Sequence, residues 1–261
     1  MAEIPANFKV LGTRIDAVQI PDVITAVEGW INAGSRGNYI VISNANDVMT
    51  GKTDDLARKA ANASNLSVPD GISLVLLGRL YGHRLKKRVY GPDLMLEFLE
   101  LSVKRGYTNF FYGATDSILE KLKDNLAHRF PGIKVAGSYA PPFKELTPEE
   151  EAAIIKLINS AAPDVLWVGL GCPKQQLWMY KHKSNLKVPA MIGVGAAFDF
   201  ISGNKPQAPV WIRNNGFEWL FRLATEPKRL WKRYLGGGSQ FIYYAGKEFF
   251  SCRVLTRKKH V

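Results

Sequence analysis

The 261-residue chain has little of what marks several classes of protein. It has two cysteines, Cys172 and Cys252, without metal-like spacing, so a reducing compartment is expected rather than a disulfide scaffold. No stretch of eighteen apolar residues occurs, so a membrane-spanning helix is not expected. The opening MAEIPANFKV lacks the basic segment and apolar run of a secretory signal. We therefore expect a cytoplasmic protein whose membrane contact is peripheral.

Motifs for common catalytic chemistries are missing as well. The chain has no P-loop and no G-x-G-x-x-G fingerprint for a dinucleotide. It has no D-x-D pair, and its histidines (His83, His128, His182 and His260) stand at no metal-ligand spacing. Neither a G-x-S-x-G elbow nor a Cys/His nucleophile pattern occurs, although Cys172 follows a predicted strand. We expect neither a metal nor a bound cofactor.

Positive charge is concentrated in the last fifth of the chain. The formal net charge of the whole chain is +12. From residue 205 onward, twelve Lys and Arg face three Glu, a balance of +9 (12 − 3). Aromatic side chains are mixed among these cations, which suits an anionic membrane surface, a phosphate-rich ligand or nucleic acid. Composition alone indicates an anionic partner and does not choose among these three.

Strand-like and helix-like segments alternate before this tail. The strand-like segments are continuous apolar runs, which indicates a parallel sheet with helices on both faces. We expect a Rossmann-like α/β domain over residues 1–204 and a basic, helical appendage over residues 205–261. A hairpin is predicted at Phe8–Val18. Extended segments are predicted at Tyr39–Ser43, around Pro69–Gly71 and Leu74–Leu77, and at Thr108–Gly113, Ile133–Ala136, Asp164–Gly171 and Ala190–Gly195. Helices are predicted at Pro21–Ile31, Asp54–Ala63, Gly91–Gly106, Asp116–Phe130 and Thr147–Ala161, and a further helix begins at Pro173.

Three glycine-bearing segments follow predicted strands. They contain Gly113, then Gly169 and Gly171, and then Gly195. Glycines at strand ends let a backbone approach phosphates, and helix N-termini offer free N–H donors to anions. The alternative is that each segment is only a tight strand-to-helix turn.

Three polar residues near strand ends have both a structural and a functional interpretation. Asp70, in Pro69-Asp70-Gly71, is a turn residue or a carboxylate able to take a proton from a hydroxyl. Asn44 is a helix cap or a sugar-binding amide, and Arg88 is by default a solvated charge. The residues alone leave these alternatives open.

The tail contains arginines at helical spacing. Arg222, Arg229 and Arg233 are seven and four residues apart, so they would share a face of one helix, although Pro227 should redirect its axis. Such a face can grip a diphosphate, or it can simply be solvated.

The last segment predicts an amphipathic helix at a membrane interface. Its apolar stripe comprises Phe241, Ile242, Ala245, Phe249 and Cys252, and a basic end, Arg257-Lys258-Lys259, follows. The alternative is a helix docked on its own core or in a dimer.

Six ordered blocks make the chain resemble the bacterial WecG/TagA/CpsF glycosyltransferases, family twenty-six of the sugar transferases. The resemblance covers about Val10 to Tyr234. Its blocks are Val68–Gly71, Arg88–Leu94, Phe111–Ala114, Gly169–Gln175, Gly193–Gly203 and the run from Ala208 through Glu218–Leu223 to Glu226–Arg229. The family implies a Rossmann-like, inverting, metal-independent enzyme. Its members move a sugar from a nucleotide donor, usually UDP-linked, onto a polyprenyl-diphosphate-linked sugar, in cell-surface polysaccharide or teichoic acid synthesis.

The resemblance also implies roles for individual residues. Asp70 matches the family's proposed base, and Asn44, Arg88 and Gln175 match further active-site positions. The residues expected to bind the nucleotide sugar are Gly113, Gly169, Gly171, Lys174, Gly195, Arg222, Arg229 and Arg233. The third appendage arginine of the family falls at Lys232, with Arg233 beside it.

Two positions depart from the family pattern. A threonine usual two residues before Asn44 is Ile42, with Ser43 the nearest hydroxyl, and the glutamate usual after Gln175 is Gln176. Both changes put a substrate contact in question and fit a different sugar.

The hypothesis from the sequence is therefore a peripheral enzyme on the inner face of the plasma membrane. Its expected partners are a nucleotide-sugar donor, a polyprenyl-diphosphate-linked sugar acceptor and an anionic membrane surface, with no nucleic acid and a possible homo-oligomer. One alternative is a nucleic-acid-binding protein using the basic tail, which a gel shift surviving physiological salt would support. The other is a nicotinamide-dependent dehydrogenase, which the glycine turns alone suggest.

Overall fold

A parallel sheet organises the chain. The computed structural model describes the backbone of residues 5–258 and the side chains of residues 5–251. A hairpin of β1 (Asn7–Val10) and β2 (Thr13–Asp16) precedes a six-stranded sheet in the order β4-β3-β8-β7-β5-β6, in which all pairs are parallel. The sheet strands are β3 (Asn38–Ser43), β4 (Leu66–Pro69), β5 (Thr108–Gly113), β6 (Lys134–Tyr139), β7 (Val165–Gly169) and β8 (Ala190–Gly193).

Helices connect these strands and continue after the last one. Up to β8 they are α1 (Ile20–Asn32), α2 (Ala45–Thr53), α3 (Asp55–Asn62), α4 (Ile72–Leu80), α5 (Gly91–Arg105), α6 (Asp116–Arg129), α7 (Pro148–Ala161) and α8 (Lys174–His182). After β8 come α9 (Ala197–Ile201), α10 (Val210–Asn214), α11 (Glu218–Thr225), α12 (Pro227–Trp231), a π-helical turn (Lys232–Gly237) and α13 (Gly238–Lys258). The α/β class and a C-terminal helix are thus confirmed, whereas the domain boundary after residue 204 stays a prediction.

The sheet buries both faces, which explains the apolar runs in the sequence. Ile40, Ile42 and Trp167 belong to the core on one face, and Tyr39 and Val41 belong to the core on the other. Because successive strand residues point to opposite faces, a strand covered on both sides needs apolar residues at every position.

Helix ends follow local signals in the sequence. Thr147 and Glu150 form the predicted capping box at the start of α7. Helix α5 ends at Gly106, whose φ of 75° is the left-handed conformation that glycine adopts without strain.

Two local predictions need correction. Leu74–Leu77, predicted as extended, lies in α4, which buries Leu74 and Val75 but leaves Leu76 exposed. A four-residue apolar run does not distinguish a strand from a helix, since its periodicity is unreadable at that length. Helix α2 was not predicted, because its few apolar residues do not repeat at helical spacing.

The interfacial role predicted for the last helix is also wrong for most of its stripe. Phe241 and Ala245 are buried in a cluster with side chains of the hairpin and α4, among them Phe8 and Leu74. Phe249 is also buried, with its ring against that of Tyr81, directly after α4. The alternative interpretation, a helix docked on its own core, is the one observed. The Cys252 side chain and the basic end Arg257-Lys258-Lys259 lie outside the described side chains.

Helix α13 is the longest helix, with 21 residues. Over the part of the chain that the structure describes, neither α13 nor any other helix is long and apolar enough to cross a membrane.

Candidate active site

A cavity of about 490 Å³ lies where β3 and β4 end, at the edge where parallel α/β sheets bind ligands. The two strands deliver Asn44 and Asp70 to it, and the loop before α5 delivers Arg88. Helices α11 and α13 and the π-helical turn close its other side. The C-terminal segment therefore forms part of this site.

Asn44 both caps a helix and faces the cavity. Its Oδ1 accepts a hydrogen bond from the Asn46 N–H at 3.0 Å, which starts α2, and the Asp47 carboxylate accepts from the Asn44 N–H at 3.0 Å. The same Oδ1 accepts from Nη2 of Arg233 at 3.3 Å. The cap interpretation is therefore correct, and the capping oxygen is also held by a cation of the C-terminal segment.

Asp70 and Glu218 share one guanidinium. Nη1 of Arg88 lies 3.3 Å from Oδ1 of Asp70, and Nη2 of Arg88 binds Oε2 of Glu218, at the start of α11. The Arg88 guanidinium also stacks over the Tyr90 ring, 4.1 Å from its centroid. Arg88 is thus a half-buried bridge, and its interpretation as a solvated charge is wrong.

This environment makes Asp70 an unusually strong base for a carboxylate. Burial raises the pKa of Asp70 to about 7, Arg88 opposes this rise, and the charges of Glu218 and Asp47 add to it. A carboxyl group with a pKa near neutrality is suited to accept a proton at physiological pH.

Two arginines of the C-terminal segment face the same cavity. Arg222 and Arg233 both line it, and Arg222 stacks over Phe200 of α9, 5.5 Å from the ring centroid. The buried Nε–H groups of both arginines have no hydrogen-bond partner among the described residues. Buried guanidinium donors without partners are ready to bind an anion.

A second cavity, of about 760 Å³, lies beyond the ends of β5, β7 and β8. Gly169, Gly171, Gly195 and Lys174 line it. Gly171 has a φ of +76°, and a Cβ built there would meet no atom within 4 Å, so its backbone faces open space. A glycine at this position leaves room for a ligand.

Gly113, at the end of β5, is required by packing instead. A Cβ at this position would approach the carbonyl group of Gly169 to 2.6 Å. The tight-turn interpretation therefore accounts for Gly113 without a ligand.

The structure separates Arg229 from the other two tail arginines. Arg229 lines the second cavity, and its Nε and Nη2 bind the Glu226 carboxylate at 2.6 and 2.7 Å. Lys205 reaches Glu226 at 3.5 Å and Asp199 at 3.6 Å. Pro227 starts a new helix, α12, so the three arginines do not share one continuous helical face.

Gln175 is buried and lines neither cavity. Its Oε1 accepts a hydrogen bond from the Gly195 N–H at 3.0 Å, so it holds the Gly195 loop in place. Ile42 and Gln176 are the positions that depart from the family pattern. Ser43, the hydroxyl next to Ile42, bonds Ser67 at 3.0 Å, and Gln176 lies 3.2 Å from the Cys172 sulfur; both side chains are buried.

Two buried carboxylates at the site were not singled out from the sequence. Glu218 looks like a first-turn acid of a helix, and Asp47 like the second half of a capping box. Those local roles hide the fact that both affect the pKa of Asp70. Three-dimensional proximity was the missing signal.

Cationic side chains line both cavities. Among the residues that the structure describes, no group of three or more His, Cys, Asp or Glu side chains is placed to hold a metal ion. Arg222 and Arg233 line the first cavity, and Lys174 and Arg229 line the second.

Comparison with known proteins gives consistent matches. The model of the glycosyl transferase WecG/TagA/CpsF family matches residues 8–254. The chain is 33% identical, over 174 residues, to an N-acetylglucosaminyldiphosphoundecaprenol N-acetyl-beta-D-mannosaminyltransferase of Bacillus subtilis (strain 168). These residues are 67% of this chain and 66% of that protein. It is 27% identical to a protein of the same name from Staphylococcus aureus (strain NCTC 8325 / PS 47), over 86% of this chain and 87% of that protein.

Proposed function

The chain belongs to the WecG/TagA/CpsF family of glycosyltransferases, and we propose that it transfers N-acetylmannosamine from a UDP-linked donor to N-acetylglucosamine carried on polyprenyl diphosphate. The acceptor and the transferred sugar are those in the names of the relatives from B. subtilis and S. aureus. Such a lipid-linked disaccharide is the kind of unit on which teichoic acids are built. The observation that carries the proposal is a carboxyl group with a pKa near 7, Asp70, facing two arginines with unpartnered donors.

The two cavities divide the reaction between them. The glycine-lined cavity takes the nucleotide diphosphate, with Lys174 and Arg229 at its wall. The Asp70 cavity takes the acceptor hydroxyl. Asp70 accepts the hydroxyl proton as the oxygen bonds to the anomeric carbon, the bond from that carbon to the diphosphate breaks, and the nucleoside diphosphate leaves. Attack opposite the leaving group inverts the anomeric centre.

The charge that develops on the leaving diphosphate is met by preorganised donors. Arg222 lines the Asp70 cavity and stacks over Phe200. Phe200 belongs to α9, the helix that follows the loop after β8. In this proposal Arg222 supplies the stabilisation that other enzymes obtain from a metal ion, whereas Arg233 faces the diphosphate of the acceptor.

The direct test is release of nucleoside diphosphate from a panel of UDP-sugars with a short-chain polyprenyl-diphosphate N-acetylglucosamine acceptor, in detergent and EDTA. Acceptor-dependent release from UDP-N-acetylmannosamine is the expected result. Release of nucleoside diphosphate from another UDP-sugar would show that a different sugar is transferred. A requirement for added Mg²⁺ would overturn metal independence, and silence from every donor would overturn the reaction as a whole.

The pH dependence should report the ionisation of Asp70. A base must be deprotonated to act, so kcat/KM should fall about tenfold per pH unit below pH ~7. Glu218→Gln removes a negative neighbour that raises the pKa of Asp70, so the acidic limb of the kcat/KM profile should move to lower pH. Glu100→Gln, on exposed α5 surface, is the matched control. A limb that stays in place in Glu218→Gln would exclude Asp70 as the titrating group.

Replacing Arg222 and replacing Arg229 should affect different kinetic constants, because the two side chains line different cavities. Arg222→Gln should lower kcat by roughly 10²–10³-fold, the usual cost of removing one donor to developing charge. Arg229→Gln should mainly raise the KM for the nucleotide donor. Lys228→Gln, an exposed cation on the same helix as Arg229, should change neither constant. Equal kcat losses at the two arginines would contradict the division of the cavities.

A further inference from the structure

Helices α4 and α13 leave the Asp70 cavity side by side. Ile72, at the start of α4, and Ile242, near the start of α13, both line the cavity. Farther along, the rings of Tyr81, directly after α4, and Phe249 of α13 meet edge to face with centroids 5.4 Å apart. The two helices therefore accompany each other for about 12 Å, eight residues at ~1.5 Å per residue.

Both helices leave an apolar strip exposed along this course. On α4 the strip is Ile72, Leu76 and Leu80, each four residues from the next and 40–53% exposed. On α13, Ile242 and Phe250 are 73% and 68% exposed, and Gly246 stands between them at the same four-residue spacing. A Cβ built on Gly246 would meet no atom within 4 Å. The strip on α13 thus has an open gap at its middle.

Contiguous exposed apolar surface often marks a binding site, and here it is continuous with a cationic cavity. Arg222 and Arg233 line the same cavity as Ile72 and Ile242. A ligand that satisfies both features carries an anionic head and an apolar chain. The gap at Gly246 favours a narrow hydrocarbon chain, which can lie in it. A partner with a flat surface would leave the gap empty and would be bound more tightly if a side chain filled it.

We propose that the groove between α4 and α13, defined by Ile72, Leu76 and Leu80 on one side and Ile242, Gly246 and Phe250 on the other, binds the first isoprene units of the polyprenyl acceptor. The inference rests on the proposed function, because it assumes that the acceptor is a polyprenyl diphosphate. It adds that the enzyme recognises the lipid chain itself, as well as the sugar and the diphosphate.

The test compares two acceptors in solution without vesicles: N-acetylglucosamine on farnesyl diphosphate and on methyl diphosphate. The wild type should use both, with a KM at least about tenfold lower for the farnesyl compound, because apolar surface is buried only by the longer chain. Equal KM values would overturn the groove while leaving the proposed function intact. Inactivity with both acceptors would instead overturn the proposed function.

Gly246→Leu separates a chain in the groove from a membrane lying against it. The leucine fills the gap and should raise the farnesyl KM about tenfold, to near the methyl value, without changing the methyl KM. It should not harm folding, since leucine is the better helix former. Gly29→Leu, a replacement at another helical glycine with open space around it, is the matched control and should change neither KM.

Leu76→Gln provides a second variant on the opposite wall, with Leu157→Gln on exposed α7 as its control. It too should raise the farnesyl KM alone. A Gly246→Leu enzyme that sediments more strongly with anionic vesicles and keeps its low farnesyl KM would show a membrane-facing surface instead. A loss of dimers in Leu76→Gln, seen by light scattering with the farnesyl KM unchanged, would show a contact between copies of the chain.

Discussion

Replacement of Asp70 by asparagine should lower kcat by ~10²–10⁴-fold while making the protein more stable at pH 8. The loss of activity is expected because Asp70 is the proposed base that accepts the proton of the acceptor hydroxyl. Asparagine keeps the shape of the side chain, so the cavity and its Arg88 contact should persist. The KM values for donor and acceptor should therefore change much less than kcat.

The gain in stability follows from the direction of the pKa shift. The pKa of Asp70 is about 7 in the folded protein, above the ~3.9 of an unfolded aspartate. Ionised Asp70 therefore opposes folding: the penalty is absent below pH ~4, grows between pH ~4 and ~7, and is complete above pH ~7. Full conversion of the shift gives ~4 kcal/mol, but the side chain keeps 21% of its surface exposed. A discounted value is on the order of 2 kcal/mol.

Thermal unfolding at two pH values measures this effect. At pH 8, Asp70→Asn should raise Tm by roughly 4–8 °C, and the difference should shrink as the pH approaches 4. Asp124→Asn, at an exposed position of α6, should leave both Tm and kcat unchanged. A lower Tm for Asp70→Asn at pH 8 would mean that the carboxylate stabilises the fold, and that Arg88 outweighs its burial.

Removal of Arg88 should damage both stability and activity, because it leaves Asp70 and Glu218 as neighbouring carboxylates without their shared partner. Loss of one member of a buried ion pair typically costs ~3–5 kcal/mol. Here the side chains keep 7–21% of their surface exposed, so about 3 kcal/mol is expected for Arg88→Gln. The pKa of Asp70 should rise further, so the base is protonated at pH 7 and kcat/KM falls there.

A double variant tests whether the loss of the shared guanidinium is what destabilises Arg88→Gln. Arg88→Gln with Glu218→Gln removes the second carboxylate and should recover most of the lost stability, but not the activity. The measurement is urea unfolding of the two single variants and the double variant. Lys104→Gln, which breaks the exposed pair with Glu100, should cost less than about 1 kcal/mol. Strictly additive losses would show that Arg88 and Glu218 act independently.

The bridge also connects the C-terminal segment to the sheet. Glu218 belongs to α11, whereas Asp70 follows β4, and Arg88 touches both. A second pair, Nη1 of Arg213 with the Asp93 carboxylate at 2.6 Å, ties α10 to α5. Docking of this segment and the ionisation of Asp70 are therefore coupled through the same guanidinium.

The sequence identified the individual residues of the site better than their arrangement. Asp70, Asn44 and Arg88 were named from the family resemblance, and the structure brings them into one cavity with Arg222 and Arg233. Their catalytic roles stay predictions. Gln175 was named with them, yet it is buried behind the Gly195 loop.

Spacing along the chain misled in two places. The tail arginines were expected on one face, but the turn at Pro227 sends Arg229 to the glycine-lined cavity. The apolar stripe of the last helix predicts a membrane contact, but Phe241 and Ala245 pack against the hairpin and α4. A helical wheel shows which residues share a face, and it cannot show what that face meets.

Local signals in the sequence are enough to predict the α/β class, most strand and helix positions and the helix caps. These depend on apolar runs, proline and glycine placement and capping residues, which act within a few positions of one another. The contact of Glu218 with Arg88, 130 residues away, and the contact of Arg88 with Asp70, 18 residues away, arise only when the chain folds. Burial and Coulombic interactions depend on distance in space rather than along the chain, so the strength of the base at this site is a property of the fold.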